Sequence, residues 1–176
     1  MVSKTAISFA AAAASFALLV AGGAYGQSGS DGPGIGCGEF SLASTGENRV
    51  VQHVDLPPEG DSAGDQRVGV RSLIDDNGDE VARLRFIVTN LDPRPDEERA
   101  IGHLNNFVVF DDGVLIYEHI YERRGEFSDL TQFTTSSGER YITAGLGAYA
   151  GASGIITVDK GEGLSEVYNF SIDCPS

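Results

Sequence analysis

The chain has no tryptophan, only two cysteines and no run of basic residues. It also has no serine elbow, no phosphate-binding glycine loop, no zinc-binding helix and no dinucleotide fingerprint, so the hydrolase, nucleotide-dependent and zinc-helix chemistries that announce themselves by motif are not indicated. Basic residues number 12 against 26 acidic ones, a net charge of −14. That balance repels a phosphate backbone or an anionic membrane surface, and nucleic acid is not an expected partner. Arg123-Arg124 and the scattered arginines sit among carboxylates instead of forming a patch. His53, His103 and His119 are far apart in the chain and read as surface or core histidines, not as a metal site. No metal and no other cofactor is expected.

What is present begins with an export signal. Lys4 precedes an apolar run from Ala6 to Ala21, and Ala24-Tyr25-Gly26 supplies a small-x-small cleavage site, so residues 1–26 read as a secretory signal peptide. A membrane anchor is the weaker reading, because the apolar part is short for the ~20 residues a span needs and its glycine-rich end interrupts it. Cleavage leaves 150 residues, one domain's worth of chain, with 11 basic residues against 26 acidic and a net charge of −15. The expected location is secreted or periplasmic, with no membrane partner after cleavage. Residues 27–36, QSGSDGPGIG, read as a flexible Gly/Ser leader, and the domain spans 37–176. Cys37 and Cys174 sit at its two ends. In an exported protein such a pair is most simply one disulfide that ties the first strand to the last.

Between the cysteines the signal is β throughout. A loosely alternating stretch from Glu39 to Leu56 ends at Pro57-Pro58. Arg67–Ile74 and Glu80–Asn90 flank Asn77-Gly78, the strongest short hairpin signal in the chain, and Asp111-Asp112-Gly113 joins a second hairpin with arms Ile101–Phe110 and Val114–Arg123. Leu91–Arg99, LDPRPDEER, reads as an exposed loop. Strands are expected over Phe127–Thr135, Glu139–Ala144, Gly154–Asp159 and Glu166–Cys174. Eight to ten short strands without an amphipathic helix make an all-β domain, and periodicity alone does not separate a sandwich from a barrel.

One stretch is unusual. Tyr141–Ile156, YITAGLGAYAGASGII, places Gly145, Gly147, Gly151 and Gly154 between two β-prone runs, where the backbone must bend, take positive φ or approach a neighbour closely. This run resembles the "GGTG-x-Y/F-x-x-A-x-G" signature of the dirigent and allene oxide cyclase superfamily, with Ala144, Leu146 and Ser153 departing from it. GVRSLIDDNGDEVARLRF resembles a second motif of that superfamily through Gly69, Asp75, Asp76 and Val81. The likeness spans about Val68 to Ile172. It implies an eight-stranded antiparallel β-barrel that folds a small hydrophobic substrate without a cofactor, as an isomerase or cyclase, and commonly a trimer joined through outer barrel faces. It also implies that an aspartate of the second motif, Asp75 or Asp76, faces the cavity as acid or base, with the raised pKa of a carboxyl in an apolar mouth. The alternative is that both serve only the turn, since Asp and Asn bond their own backbone there.

Barrels of eight strands are wide enough for one small ligand, and inward residues alternate along each strand. On Val114–Arg123 the alternation separates Leu115, Tyr117, His119 and Tyr121 from Val114, Ile116, Glu118, Ile120 and Glu122. Periodicity lets either set face inward. The aromatic set is the favoured lining, so Tyr117, His119, Tyr121 and, from the glycine-rich corner, Tyr149 are the candidate ligand-binding residues, with Asp75 and Asp76 the candidate catalytic pair. A non-catalytic barrel that binds a small hydrophobic molecule and an interaction protein remain the alternatives.

Overall fold

The computed structural model describes residues 36–94, 99–124, 127, 138–161 and 165–175. The segment read as a signal peptide, nearly all of the expected leader and most of the strand expected over Phe127–Thr135 lie outside the described residues. The described chain contains nine strands: β1 (Gly38–Ser44), β2 (Arg49–Val54), β3 (Gln66–Ile74), β4 (Glu80–Arg94), β5 (Arg99–Val109), β6 (Gly113–Arg124), β7 (Gly138–Gly147), β8 (Ser153–Lys160) and β9 (Glu166–Asp173). A single 3-10 turn, Gly46–Asn48, separates β1 from β2, and no α-helix occurs among the described residues.

From β2 to β9 each strand pairs antiparallel with the next one in the chain. β1 closes the ring. It pairs with β9 over Gly38–Ser44 and reaches β3 through Ala43 opposite Ile74, and beyond the 3-10 turn β2 continues along β3 from Arg49 opposite Arg71 to Val54 opposite Gln66. β1 and β2 therefore act as one broken strand, and the result is a closed antiparallel barrel of eight strands. Closure pairs the edges that an open sheet would leave as templates for another chain.

The hairpin chemistry explains the order. Asp75 accepts the N–H of Asn77 at 2.9 Å and of Asp79 at 3.0 Å, and Gly78 takes a φ of 87° where a side chain would be strained. At the second hairpin the Phe110 N–H donates to the Gly113 carbonyl at 2.9 Å. The glycine-rich corner is a true corner: a Cβ on Gly145 would lie 1.8 Å from the Tyr149 carbonyl oxygen, and Gly147 sits at a φ of 65°. Only glycine lets these backbones approach so closely.

Two expectations need correction. Leu91–Arg99 is not a loop over its whole length, because β4 continues to Arg94 and β5 starts at Arg99, leaving residues 95–98 between them. The ladder accommodates Pro93 by shifting register between Asn90 and Asp92, a bulge of the kind that lets proline sit in a strand. Likewise Glu39–Leu56 is two strands, because the chain must leave β9 and join β3 within a few residues. The loop that follows, 55–65, is held by Asp65, whose buried carboxylate accepts from Ser62 N at 2.7 Å, Ser62 Oγ at 2.9 Å and Leu56 N at 2.9 Å. Burial raises its pKa, but these donors prevail and hold it below the ordinary carboxylate range.

Cys37 and Cys174 form a disulfide across 137 residues, beside the β1–β9 pairing. In the chain-entropy account a loop of that length is worth ~4–5 kcal/mol. Reduction of the native protein should lower its thermal midpoint by several degrees, read by circular dichroism with and without reductant. Two free thiols by alkylation of the unreduced protein would count against the bridge.

Candidate functional site

Strand alternation sends one face of every strand into the barrel, and the inward residues divide into two apolar clusters with a polar group where they meet. At the disulfide end Leu42, Leu73, Leu84, Val108, Leu115 and Phe170 pack together, and Phe110 and Tyr149, with ring centroids 4.9 Å apart, belong to the same cluster. At the other end Phe86, Val88, Leu104, Tyr121 and Phe127 form the second cluster. Two glycines make room for its rings: a Cβ on Gly69 would meet the Phe86 ring at 2.3 Å, and one on Gly102 would meet the Tyr121 ring at 2.9 Å.

The polar group centres on a triad. The Glu166 carboxylate on β9 accepts from the Arg71 guanidinium on β3 and from the Tyr168 hydroxyl, and Arg71 also donates to the Tyr168 oxygen at 3.0 Å. Arg71 and Glu166 are almost wholly buried, and the Arg71 guanidinium lies 5.4 Å from the centre of the Phe86 ring. Arg140 on β7 and Arg67 on β3 are buried too. Arg67 donates to the Phe127 carbonyl and lies 4.7 Å over its ring, while the Phe127 N–H donates to Asp61 and the His53 ring stands 5.7 Å away edge-on. Phe127 is thereby anchored over the second cluster.

Burial sets the protonation states. It pushes the Tyr117 and Tyr168 hydroxyls far above the ordinary phenol value, although Arg71 pulls both down and Arg140 also pulls on Tyr117. It pushes Tyr149 up to about 12, with Asp112 adding to the effect. His119 moves down, first through burial and then through Arg140. The interior therefore holds neutral phenols and a neutral imidazole near pH 7.

Of the candidate ligand-binding residues, Tyr117 and Tyr121 are buried on the inner face of β6 and His119 is half-buried on the same face, its ring parallel to that of Tyr121 at 6.3 Å. Tyr149 lies in the corner between β7 and β8 as part of the first cluster. The barrel does not bring Asp75 and Asp76 to this group. Asp76 is exposed in the β3–β4 turn, and the Asp75 carboxylate is engaged by the N–H groups of Asn77 and Asp79 and by the Asn77 side chain at 3.0 Å. Its pKa moves opposite to the expectation. The Asp79 hydrogen bond leads the causes that hold it below the usual carboxylate range.

The residues that sequence reasoning missed are Arg67, Arg71, Asn106, Arg140, Glu166 and Tyr168. On β3 the alternation pairs Arg67, Gly69, Arg71 and Leu73 against Val68, Val70, Ser72 and Ile74, and the more apolar set would ordinarily be taken as inward. Leu73, fully buried beside two arginines on one face, is the one local sign of the reverse. His53 is at the Phe127 end, and His103 pairs with Glu118 at 3.3 Å on the outer wall. Among the described residues no group of three or more His, Cys, Asp or Glu side chains is arranged to hold a metal ion.

No family model and no curated sequence matches the chain. Solved structures do. The chain is similar to pyocyanin demethylase at 20% identity and a TM-score of 0.59, over 77% of this chain and 99% of that one. It is similar to the Diels-Alderase AbmU from Streptomyces koyangensis at 13% identity and a TM-score of 0.56, over 78% of this chain and 64% of that one. A third likeness, 14% identity and a TM-score of 0.53 over 76% and 63%, is to a nonspecific heme-binding cyclase that catalyses [4 + 2] cycloaddition during neoabyssomicin biosynthesis. The chain spans just under two thirds of the length of these last two. The shared property is the fold, a closed β-barrel of the type found in barrel cyclases.

The buried phenols predict an alkaline limit. A group whose folded pKa is raised contributes stability that is fully present below its unfolded value, about 10 for tyrosine, and lost as pH rises toward the folded value. Denaturant midpoints should therefore fall from pH 10 upward, and Tyr117→Phe should flatten that fall. Phenolate absorbance from Tyr117 and Tyr168 appearing before any loss of fold would contradict the assignment.

Proposed function

We propose that the barrel interior takes up a small, largely hydrophobic molecule and guides it through a cyclisation or isomerisation. The observation that carries this reading is the polar and aromatic group buried inside a closed barrel. Replacing a buried ion pair with well-packed apolar residues is often neutral or stabilising, so Arg71 and Glu166 are poorly explained by stability. Walls of Phe86, Leu104, Tyr117 and Tyr121 suit a hydrophobic body held in one conformation, which is how a site accelerates a reaction that needs mainly correct folding of its substrate. The barrel-cyclase fold of the solved neighbours supports the same class, and the motifs at Asp75-Asp76 and Gly145–Gly154 support the narrower kinship with dirigent and allene oxide cyclase barrels.

In this reading Glu166, the buried carboxylate steadied by Arg71 and Tyr168, receives or returns a proton, and the neutral Tyr117 hydroxyl donates a hydrogen bond. Asp75 and Asp76 serve the turn. The disulfide, a bond of oxidising compartments, and the reading of residues 1–26 as a signal peptide support an exported protein. Ile120, Tyr141 and Leu146, each more than half exposed on the outer wall of β6 and β7, support self-association as a trimer.

The test starts from a panel of lipophilic polyenes, epoxides and conjugated ketones, screened by quenching of tyrosine emission and then by product analysis. Glu166→Gln should lower turnover about 100- to 10,000-fold at nearly unchanged affinity, with folding checked by circular dichroism, while Asp75→Asn should leave turnover intact. Binding without turnover by the native protein would favour the non-catalytic barrel instead. Assembly is read separately by light scattering, where a monomer at micromolar concentration would exclude the trimer.

A further inference from the structure

Asn106 is buried on the inner face of β5, between Val108 of the first cluster and Leu104 of the second. Its cross-strand neighbours are Phe86 on β4 and Tyr117 on β6. Its Nδ2 has no hydrogen-bond partner. The same holds for Nε of Arg71, although another nitrogen of that guanidinium is committed to Glu166 and Tyr168. Phe86 links the two, flanking Asn106 and lying under the Arg71 guanidinium.

Both open atoms are donors. The Asn106 amide nitrogen carries two N–H groups, and Arg71 Nε carries one and has no acceptor capacity. An unpaired buried donor is costly, and a partner that arrives from outside is one explanation for retaining it. The local field agrees: Arg140 and Arg71 favour negative charge at the neighbouring Tyr117 oxygen, and Glu166 opposes it.

We infer that the molecule taken up carries an acceptor oxygen, a carbonyl or carboxylate on its hydrophobic body, and that Asn106 Nδ2 and Arg71 Nε receive it. This rests on the small-molecule reading above and narrows it. Two donors on a conjugated carbonyl withdraw electron density from the attached unsaturated system, the activation that a cyclisation or isomerisation of such a substrate uses. Asn106 and Arg71 thereby add chemical selection to a site whose other walls select by shape.

Three probes of one shape separate the possibilities by calorimetry: 2-naphthoate, 2-acetylnaphthalene and 2-ethylnaphthalene. At least one oxygenated probe should bind about tenfold more tightly than the hydrocarbon, as one or two hydrogen bonds provide, and which one does tells carboxylate from carbonyl. Asn106→Leu should abolish most of that preference by weakening the oxygenated probes and not the hydrocarbon, and Asn106→Ser, which keeps a donor, should retain part of it. Without ligand, Asn106→Leu should unfold at an equal or higher urea concentration than the native protein, because it removes an unpaired buried donor. Equal affinity for all three probes, a preference that survives Asn106→Leu, or a lowered urea midpoint for that variant would each overturn the inference and leave the broader reading standing. Failure of all three probes and of the lipophilic panel to bind would overturn both.

Discussion

The interior of this protein exists because β1 lies between β9 and β3. Arg71 and Glu166 are 95 residues apart in the chain and belong to strands that only meet across the seam where the sheet closes. Closure is demanding. The first strand must satisfy β9 along Gly38–Ser44, break at the 3-10 turn, and then satisfy β3 along Arg49–Val54. The disulfide stands beside this seam, where it limits the chain freedom that would otherwise oppose closure.

A closed seam changes what the enclosed groups are worth. Ionised side chains taken out of water lose several kcal/mol of solvation each, and their attraction repays that only when geometry and hydrogen bonding are complete. Arg71, Glu166 and Tyr168 meet the condition in part, through a three-way arrangement in which the carboxylate accepts twice and the phenol both donates and accepts, while Arg71 Nε stays open. The apolar clusters on either side keep water away and so strengthen each of these contacts. An acidic protein thus encloses three buried arginines, and the sign of its surface says nothing about the sign of its interior.

The fold is one that other solved barrels put to catalytic use, but a fold lends itself to many chemistries, and the particular chemistry resides in the side chains it encloses. Here the enclosed set is a carboxylate held by arginine and tyrosine, neutral phenols, and open donors on Asn106 and Arg71. Steric guidance, proton transfer and polarisation of an oxygen are what such a set offers.

Local chemistry made much of this legible in the chain. The Asn77-Gly78 and Asp112-Gly113 steps announce hairpins because few other residues tolerate those turns, the glycines of Tyr141–Ile156 announce a corner for the same reason, and two cysteines allow one pairing. On β6 the alternation already separates Tyr117, His119 and Tyr121 from their outward neighbours. On β3 it fails to point the right way, because a period of two shows that a strand has two faces without showing which one the barrel encloses. Arginine there is ordinarily assigned to solvent, and only the arrival of Glu166 from β9 makes its burial tolerable. Asp75 shows the same limit from the other side: its motif allowed either a cavity acid or a turn residue, and in the folded chain the N–H groups of Asn77 and Asp79 engage its carboxylate in the turn. Strand identity and turns are settled by neighbours in sequence, whereas the charge of the interior depends on partners that come together only when the sheet has closed.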